Sequence, residues 1–516
     1  MKKTAINIQN ITGIIRLLLR SRLLQRVMDV LAVVLIFLIM DDIPSCSKAT
    51  IIDNEATISP AYPSTVIPYN IAPFNFNIHE EGSRYRVRFA VAGRDSFTVS
   101  TKKSVVSIPL RKWKKLLHAN RGEQMDIRIF VKKETGWVRY APLRLTIATE
   151  PIDPWLAYRL IEPGYEIWNR MGIYQRCLEN FDEIPIFTNQ LTENRSCMNC
   201  HSFCRNNPQT MLFHLRKYDA GTIILKDGTV EKVNTQVPGL ISAGVYPRWH
   251  PDGRFVAFSV NITRQGFHAT HTNKVEVYDQ KSDVMIYDTE THTIFTDNLI
   301  SSADCFETFP EWSPDGRHLY FCSASACPMP QAYDSLQYDL LRISFDASNR
   351  TFGKQLDTII SSRQLQYESA KGRSIALPRL SPDGKYIVFC LSDYGTFPIW
   401  HRENDLYLLN VETKEWRNLS EINSDQSDSY HAWSSNGRWI VFSSRRIDGT
   451  FTRPYISYFD TAGNAYTPFL LPQKDPFHYD FSFKSYNIPE FITGKVTVSP
   501  YKLLKTAKNK AIESKR

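Results

Sequence analysis

A chain of 516 residues with 12% aromatic side chains, 28 prolines and 22% charged residues is too long for one ordinary domain and too apolar to stay unfolded. Its formal charge of +9 is spread over the amino-terminal arginines, the following domain and a lysine-rich end. No basic aromatic platform emerges, which argues against nucleic acid and leaves attraction to an anionic membrane face after export.

The chain opens with Arg16, Arg20, Arg22 and Arg26, followed by an apolar run over residues 30–40. That run is short for a membrane span and right for the apolar region of an export signal, so residues 1–46 are expected to direct export to the periplasm or outer membrane. Ile43-Pro-Ser-Cys46 resembles a bacterial lipoprotein box, making Cys46 a candidate lipidation site and membrane anchor. A plainly cleaved signal and an uncleaved anchor are the alternatives, and the true start could lie near Met28. Export suits the remaining cysteines, because disulfides and covalent haem belong outside the cytoplasm. Among them Cys322 and Cys327 are close enough in sequence to pair, whereas Cys390 reads as a small hydrophobe.

Residues 57–150 alternate apolar and polar in short runs, such as Tyr85-Arg-Val-Arg-Phe-Ala-Val91, broken by Gly, Pro and Asp. This pattern predicts a β-sandwich of immunoglobulin-like size, with a short helix around Trp113 to His118. Residues 151–195 form an aromatic linker, in which Trp155, Tyr158, Tyr165, Trp168 and Tyr174 are expected to pack on a neighbouring domain.

The strongest pattern follows. Trp249-His-Pro-Asp-Gly253, Trp312-Ser-Pro-Asp-Gly316, Leu380-Ser-Pro-Asp-Gly384 and Trp433-Ser-Ser-Asn-Gly437 each precede a strand reaching Phe258, Phe321, Phe389 or Phe442. Pro sets φ for the turn, Asp or Asn caps it, and Gly accepts positive φ. Repeats spaced by roughly 40 to 70 residues, each with one tight turn, predict a β-propeller over residues 196–482. A fifth, degenerate copy sets Phe213 on the phenylalanine position, Cys204 on the tryptophan position and His201 beside Tyr246, Phe309, Leu377 and Tyr430. Residues 483–516 are expected to be a carboxy-terminal segment ending in a solvated basic tail.

The degenerate copy contains Cys197-Met-Asn-Cys200-His201, the attachment signature of haem c, with two thiols for the vinyl groups and His201 for the metal. A zinc site that adds Cys204, a disulfide and simple packing are the competing readings. Met211, His214 and Met171 are the candidates for a sixth iron ligand. Met211 also matches Val256, Leu319, Ile387 and Ile440 as a core position, and His214 suits a hydrogen-bonded site at a sheet edge.

The Pro-Asp-Gly repeats resemble those of the TolB-like, WD40-like propeller family over about residues 196–480, and with the CxxCH motif they resemble exported Bacteroidetes proteins of that kind. The resemblance implies an all-β chain whose propeller has six blades behind a sandwich. The sixth blade is expected from residues 455–481 together with the linker. It implies a cell-envelope protein that binds a protein or glycan partner, expected to be no enzyme, with haem c as a possible cofactor. The alternative is a periplasmic electron-transfer protein. No Gly-x-Ser-x-Gly elbow is present, and Asp304, Glu307, His401, Glu403 and His431 read as ordinary polar loop residues.

Overall fold

The computed structural model describes residues 49–94, 96–162, 169–368 and 373–516. The proposed export signal, Cys46 and the rings of Tyr165 and Trp168 therefore lie outside the described residues. Among the described residues no helix is long and apolar enough to cross a membrane.

The chain is mainly β. Its amino-terminal part pairs Thr50–Glu55, Thr65–Ile67, Arg84–Val91, Ser96–Thr101, Gln124–Lys133, Gly136–Ala141 and Leu143–Ile147 into a seven-stranded sheet, beside a three-stranded sheet from Ile58–Ser59, Phe76–Ile78 and Val105–Val106. Arg84–Val91 alternates exposed and buried residues, as a half-covered strand must. The expected helix is present at Leu110–Ala119 and buries Trp113, Leu116 and Leu117.

The rest forms four sheets of four strands and two of five. They are called I to VI in ring order, with inner strands Ser485–Ile492, Cys197–Phe203, Val245–Trp249, Cys305–Trp312, Ser374–Leu380 and Asp428–Trp433. Each inner strand adjoins the next, and that of sheet I adjoins those of sheets II and VI, so the ring closes. Apolar cores fill the spaces between successive sheets; the one on sheets I and VI continues into the amino-terminal domain through Trp439, Phe469 and Phe74. The Asp153 carboxylate fixes that junction by accepting hydrogen bonds from Ser435 N and Oγ at 2.7 and 2.6 Å.

Two repeated devices build the ring. The turn glycines Gly253, Gly316, Gly384 and Gly437 have φ of 73°, 73°, 74° and 66°, as the sequence requires. The tryptophans then tie neighbouring sheets: the indole N–H of Trp249 donates to Ser202 O, that of Trp312 to Arg248 O and that of Trp433 to Arg379 O, at 3.2, 3.2 and 3.0 Å.

The second device was not anticipated. Every inner strand carries the same bulge, with a left-handed residue at Cys200, Tyr246, Phe309, Leu377, Tyr430 or Ile488, all at φ between 48° and 52°. Left-handed backbone is strained for a bulky or β-branched residue, and its repetition at equivalent positions around a ring marks it as a built feature.

Several expectations are corrected. The aromatic segment enters the last sheet, as the expectation for a sixth blade had it, but as three full strands: Trp155–Ile161, Met171–Cys177 and Glu183–Thr188 pair in succession as the body of sheet I. Its inner strand is Ser485–Ile492, beyond the expected boundary at 482, and not a segment of residues 455–481. The basic tail is held: Ser499 caps the helix Pro500–Ala507, which buries Leu503 and Ala507, and Ile512–Glu513 pairs with Thr229–Asn234. Cys322 and Cys327 are free thiols.

Candidate functional site

The CxxCH segment is an extended inner strand, and its register differs from the expectation by one residue. Phe203 pairs with Met211 as Trp249 pairs with Val256, so Phe203, not Cys204, holds the tryptophan position. The cause is a longer turn, where Arg205 and Asn206 both take positive φ. Cys200 thus becomes the left-handed bulge residue of sheet II, and His201 matches Pro247, Pro310, Pro378, His431 and Pro489.

The bulge sends the three motif side chains to different surroundings. Cys197 lines a large cavity, Cys200 is buried near Tyr246 and Tyr430, and the His201 ring is fully enclosed. His201 points toward sheet I, with Nε2 at 3.8 Å from Glu490 Oε2, too far for a hydrogen bond. Burial, helped by the charge of Arg159, pulls its pKa down to about 3. His431, its counterpart in sheet VI, donates from Nε2 to Val388 O at 2.7 Å. A haem needs both thiols and the imidazole to face one slot wide enough for the macrocycle. These residues share no such space, so as placed they do not fit the group. Met211 is core, as its match to Val256 implied, and His214 is buried with Nδ1 2.8 Å from Thr222 Oγ1. The Met171 sulfur accepts a hydrogen bond from Met198 N. Among the described residues no group of three or more His, Cys, Asp or Glu is placed to hold a metal ion.

Two cavities lie on the ring's axis and share no lining residue. The smaller, about 320 Å³, is walled by the turn ends of the sheets and by Arg248, Glu311, Arg379 and Glu490. Arg248 lies 2.6 Å from Glu311 and 3.0 Å from Glu490, and Arg379 lies 3.3 Å from Glu311. Burial outweighs these contacts and raises both carboxyls to about 7. Two arginines and two carboxyls thus face one another on this wall.

The larger cavity, about 1260 Å³, opens at the other end among the loops. Bulge residues Tyr246, Tyr430 and Ile488 line it on the axis, with Phe397, Trp400 and Phe451 from the loops. Arg159 Nε, His214 Nε2, Asn261 Oδ1 and Arg445 Nε are buried without a hydrogen-bond partner, and all four residues line this cavity, as Ser202 Oγ, Arg248 Nε and Glu490 Oε2 are at the smaller one. Arg445 is 6% exposed, lies 3.8 Å over the Trp400 ring, and is pulled down to about 10 by burial. Exposed Tyr218, Ile447, Phe481 and Phe483 belong to the connections of the same face, where exposed Phe267 ends the strand Phe255–Phe267.

The loop that carries Phe397 and Trp400 is clamped beneath this face. His401 Nδ1 is 3.0 Å from Glu403 Oε1 and its Nε2 3.5 Å from Glu276 Oε2, while Tyr394 donates to Glu276 Oε1 at 2.7 Å. Of the polar loop residues noted in the sequence, the structure thus joins His401 and Glu403. His431 is buried in sheet VI, and Glu307, on the inner strand of sheet IV, is pushed up to about 8 by burial. Sequence reasoning missed Arg159, Arg216 and Arg445, because single arginines on separate sheets leave no local signal.

No family model and no curated protein matches the chain. Among solved structures it is similar to an oligogalacturonate lyase in complex with manganese, at 12% identity over 62% of this chain and 74% of that one, with a TM-score of 0.34. It is also similar to prolyl oligopeptidase B from Galerina marginata, at 10% identity over 74% and 52%, TM-score 0.35. A Mycobacterium tuberculosis puromycin-hydrolyzing peptidase gives 10% over 83% and 57%, TM-score 0.33. The chain spans about half the length of these two peptidases. At these identities and TM-scores the likeness carries no argument about substrate or mechanism. The expectation that the chain is no enzyme is nevertheless withdrawn, because the structures it resembles include a lyase and peptidases, and a ring of this kind gives no ground for excluding catalysis.

Proposed function

We propose that the chain is a cell-envelope binding protein, a six-bladed TolB-like propeller behind a β-sandwich, which takes a protein or glycan partner at the larger cavity. The observation that carries this reading is the set of four buried polar atoms left without partners along that one cavity, on Arg159, His214, Asn261 and Arg445. Buried polar groups are mostly satisfied in folded proteins, and although other unpartnered atoms lie elsewhere in the chain, these four border the cavity with room for a ligand that completes them. The bulge repeated on all inner strands supports the propeller reading, and the exposed aromatic residues on the same face support a contact that extends beyond the cavity. Placement in the envelope and a lipid anchor at Cys46 rest on the basic and then apolar amino terminus.

Thr450 lines the mouth and is exposed, so Thr450→Trp should fill it without disturbing the ring. On a glycan and peptide array, ligands of the native protein should lose their signal with this variant. Retention of every ligand by a folded Thr450→Trp protein would place the binding site elsewhere.

A further inference from the structure

We infer that the larger cavity binds an anionic oligosaccharide, its acidic groups held by Arg159, Arg216 and Arg445 and its sugar rings laid against the aromatic wall. This deepens, and rests on, the reading of that cavity as the binding site.

The charge comes first. Arg445 follows the second strand of sheet VI, Arg159 lies on the second strand of sheet I and Arg216 ends the second strand of sheet II, so three consecutive sheets each send a guanidinium to the same cavity. Several other arginines of the ring find carboxylates, as Arg248 does with Glu311, Arg254 with Asp288 and Arg446 with Asp428, while the buried Arg176 of sheet I donates to Pro472 O instead. Among the described residues, Arg159, Arg216 and Arg445 form no ion pair with a carboxylate. Arg159 spends Nη1 on Met198 O and Asn199 Oδ1, and Arg445 spends Nη1 on Gly449 O at 3.4 Å; the Nε of each is unpartnered. The carboxylates of the lining do not supply the missing charge. Glu162 pairs with Lys484 at 3.4 Å, and the Glu513 carboxylate, which accepts from Asn234 Nδ2 at 2.8 Å, pairs with none of the three arginines; Asp448, outside the lining, only partly offsets the burial of Arg445.

A guanidinium removed from water without a counter-charge is costly, and its fork of donors matches the paired oxygens of a carboxylate or a sulfate. A ligand that brings such groups supplies what the wall lacks. The remaining wall selects the carrier. Tyr246, Trp400, Tyr430 and Phe451 offer flat faces suited to the C–H faces of pyranose rings, while Asn261 and Asn487 offer amides to hydroxyl groups. At about 1260 Å³ the cavity exceeds the roughly 300–1,000 Å³ of ordinary small-molecule sites, which favours several sugar units over one.

The test is calorimetric titration of the full chain with a mannuronate tetrasaccharide, a chondroitin sulfate tetrasaccharide, neutral cellotetraose, a poly-glutamate peptide and a single-stranded oligonucleotide. At least one anionic saccharide should bind, with affinity falling as salt rises, and cellotetraose should bind at least tenfold more weakly. Arg445→Gln and Arg216→Gln should each weaken the anionic saccharide by roughly 10- to 100-fold. Arg216 is exposed, so its variant should unfold at the native temperature and keeps the test valid if Arg445→Gln fails to fold. Cellotetraose bound equally tightly, and blocked by Thr450→Trp, would overturn the anionic class and leave the cavity as the site. Anionic binding unchanged in the arginine and Thr450 variants would overturn the site itself. Binding of only the peptide or the oligonucleotide, or of no anionic saccharide, would overturn the inference.

Discussion

The clamp under the binding face should make the protein less stable in alkali, in a way that one substitution removes. His401 is 2% exposed and lies between Glu403 at 3.0 Å and Glu276 at 3.5 Å. Burial alone would lower its pKa; the hydrogen bonds and charges of the two carboxylates more than offset this and raise it from 6.5 to about 9. A group that holds its proton more tightly when folded contributes stability that is fully present below the unfolded pKa and is lost as pH rises through the folded one. At about 1.4 kcal/mol per pH unit, this shift corresponds to about 3 kcal/mol, present at pH 6 and gone above pH 9. The same interaction holds Glu276 and Glu403 below their ordinary range and is not counted again for them. His401→Gln should therefore lose about 3 kcal/mol near pH 6 and little near pH 9.5, measured by urea unfolding followed by tryptophan fluorescence. Glu307, Glu311 and Glu490 also hold their protons more tightly when folded and weaken the protein as pH rises, so the diagnostic quantity is the difference between native and variant. Parallel pH profiles for the two proteins would refute the clamp. Because the clamped loop carries Trp400, ligand affinity should fall over the same alkaline range.

Gly316 and Gly253 share a φ of 73°, but a Cβ on Gly316 would lie 2.3 Å from His250 Nε2, whereas on Gly253 the nearest atom, Cys204 Sγ, is at 3.8 Å. Gly253→Ala should cost about 1 kcal/mol from backbone strain alone and Gly316→Ala clearly more, a difference that thermal unfolding will read. His214, held neutral by burial with a pKa of about 3, contributes stability present above pH 6.5 and lost as pH falls toward 3. His214→Gln keeps a donor toward Thr222 and should reduce the loss between neutrality and about pH 4 by ~3 kcal/mol in acid denaturation. Protein purified from a host that matures cytochromes c is expected to be colourless and of apo mass; a c-type pyridine haemochrome band would show that Cys197, Cys200 and His201 rearrange from the positions described.

What was legible in the sequence was local. A Pro-Asp-Gly turn states its own backbone, so the inner hairpins of sheets III to VI could be placed from Gly253, Gly316, Gly384 and Gly437 alone. Ring closure could not, because sheet I has no such turn: its inner strand arrives from the far end of the chain, and its remaining strands come from the aromatic segment before the repeats. A signal for it was present in the four residues before the turn. Ile488-Pro-Glu-Phe491 matches Tyr246-Pro-Arg-Trp249 and Phe309-Pro-Glu-Trp312, which is the bulge and not the turn. The same four-residue frame changes the meaning of the cysteine motif. Aligned on the turn, His201 looks like a free histidine added to two thiols; aligned on the bulge, Cys200-His-Ser-Phe203 matches Tyr430-His-Ala-Trp433, where a histidine stands at the same position with no cysteine pair before it. The histidine of sheet VI has a structural role, reaching Val388 O of the preceding sheet, whereas His201 stands at the same position with both ring nitrogens buried and without a hydrogen-bond partner, so the ring explains its place in the strand and not its bonding. The arginines of the larger cavity lie at the opposite limit. Each is one charged residue on its own strand, and only closure through Ser485–Ile492 places Arg159 between Arg445 and Arg216, so the charge that selects the ligand is a property of the ring and of no segment within it.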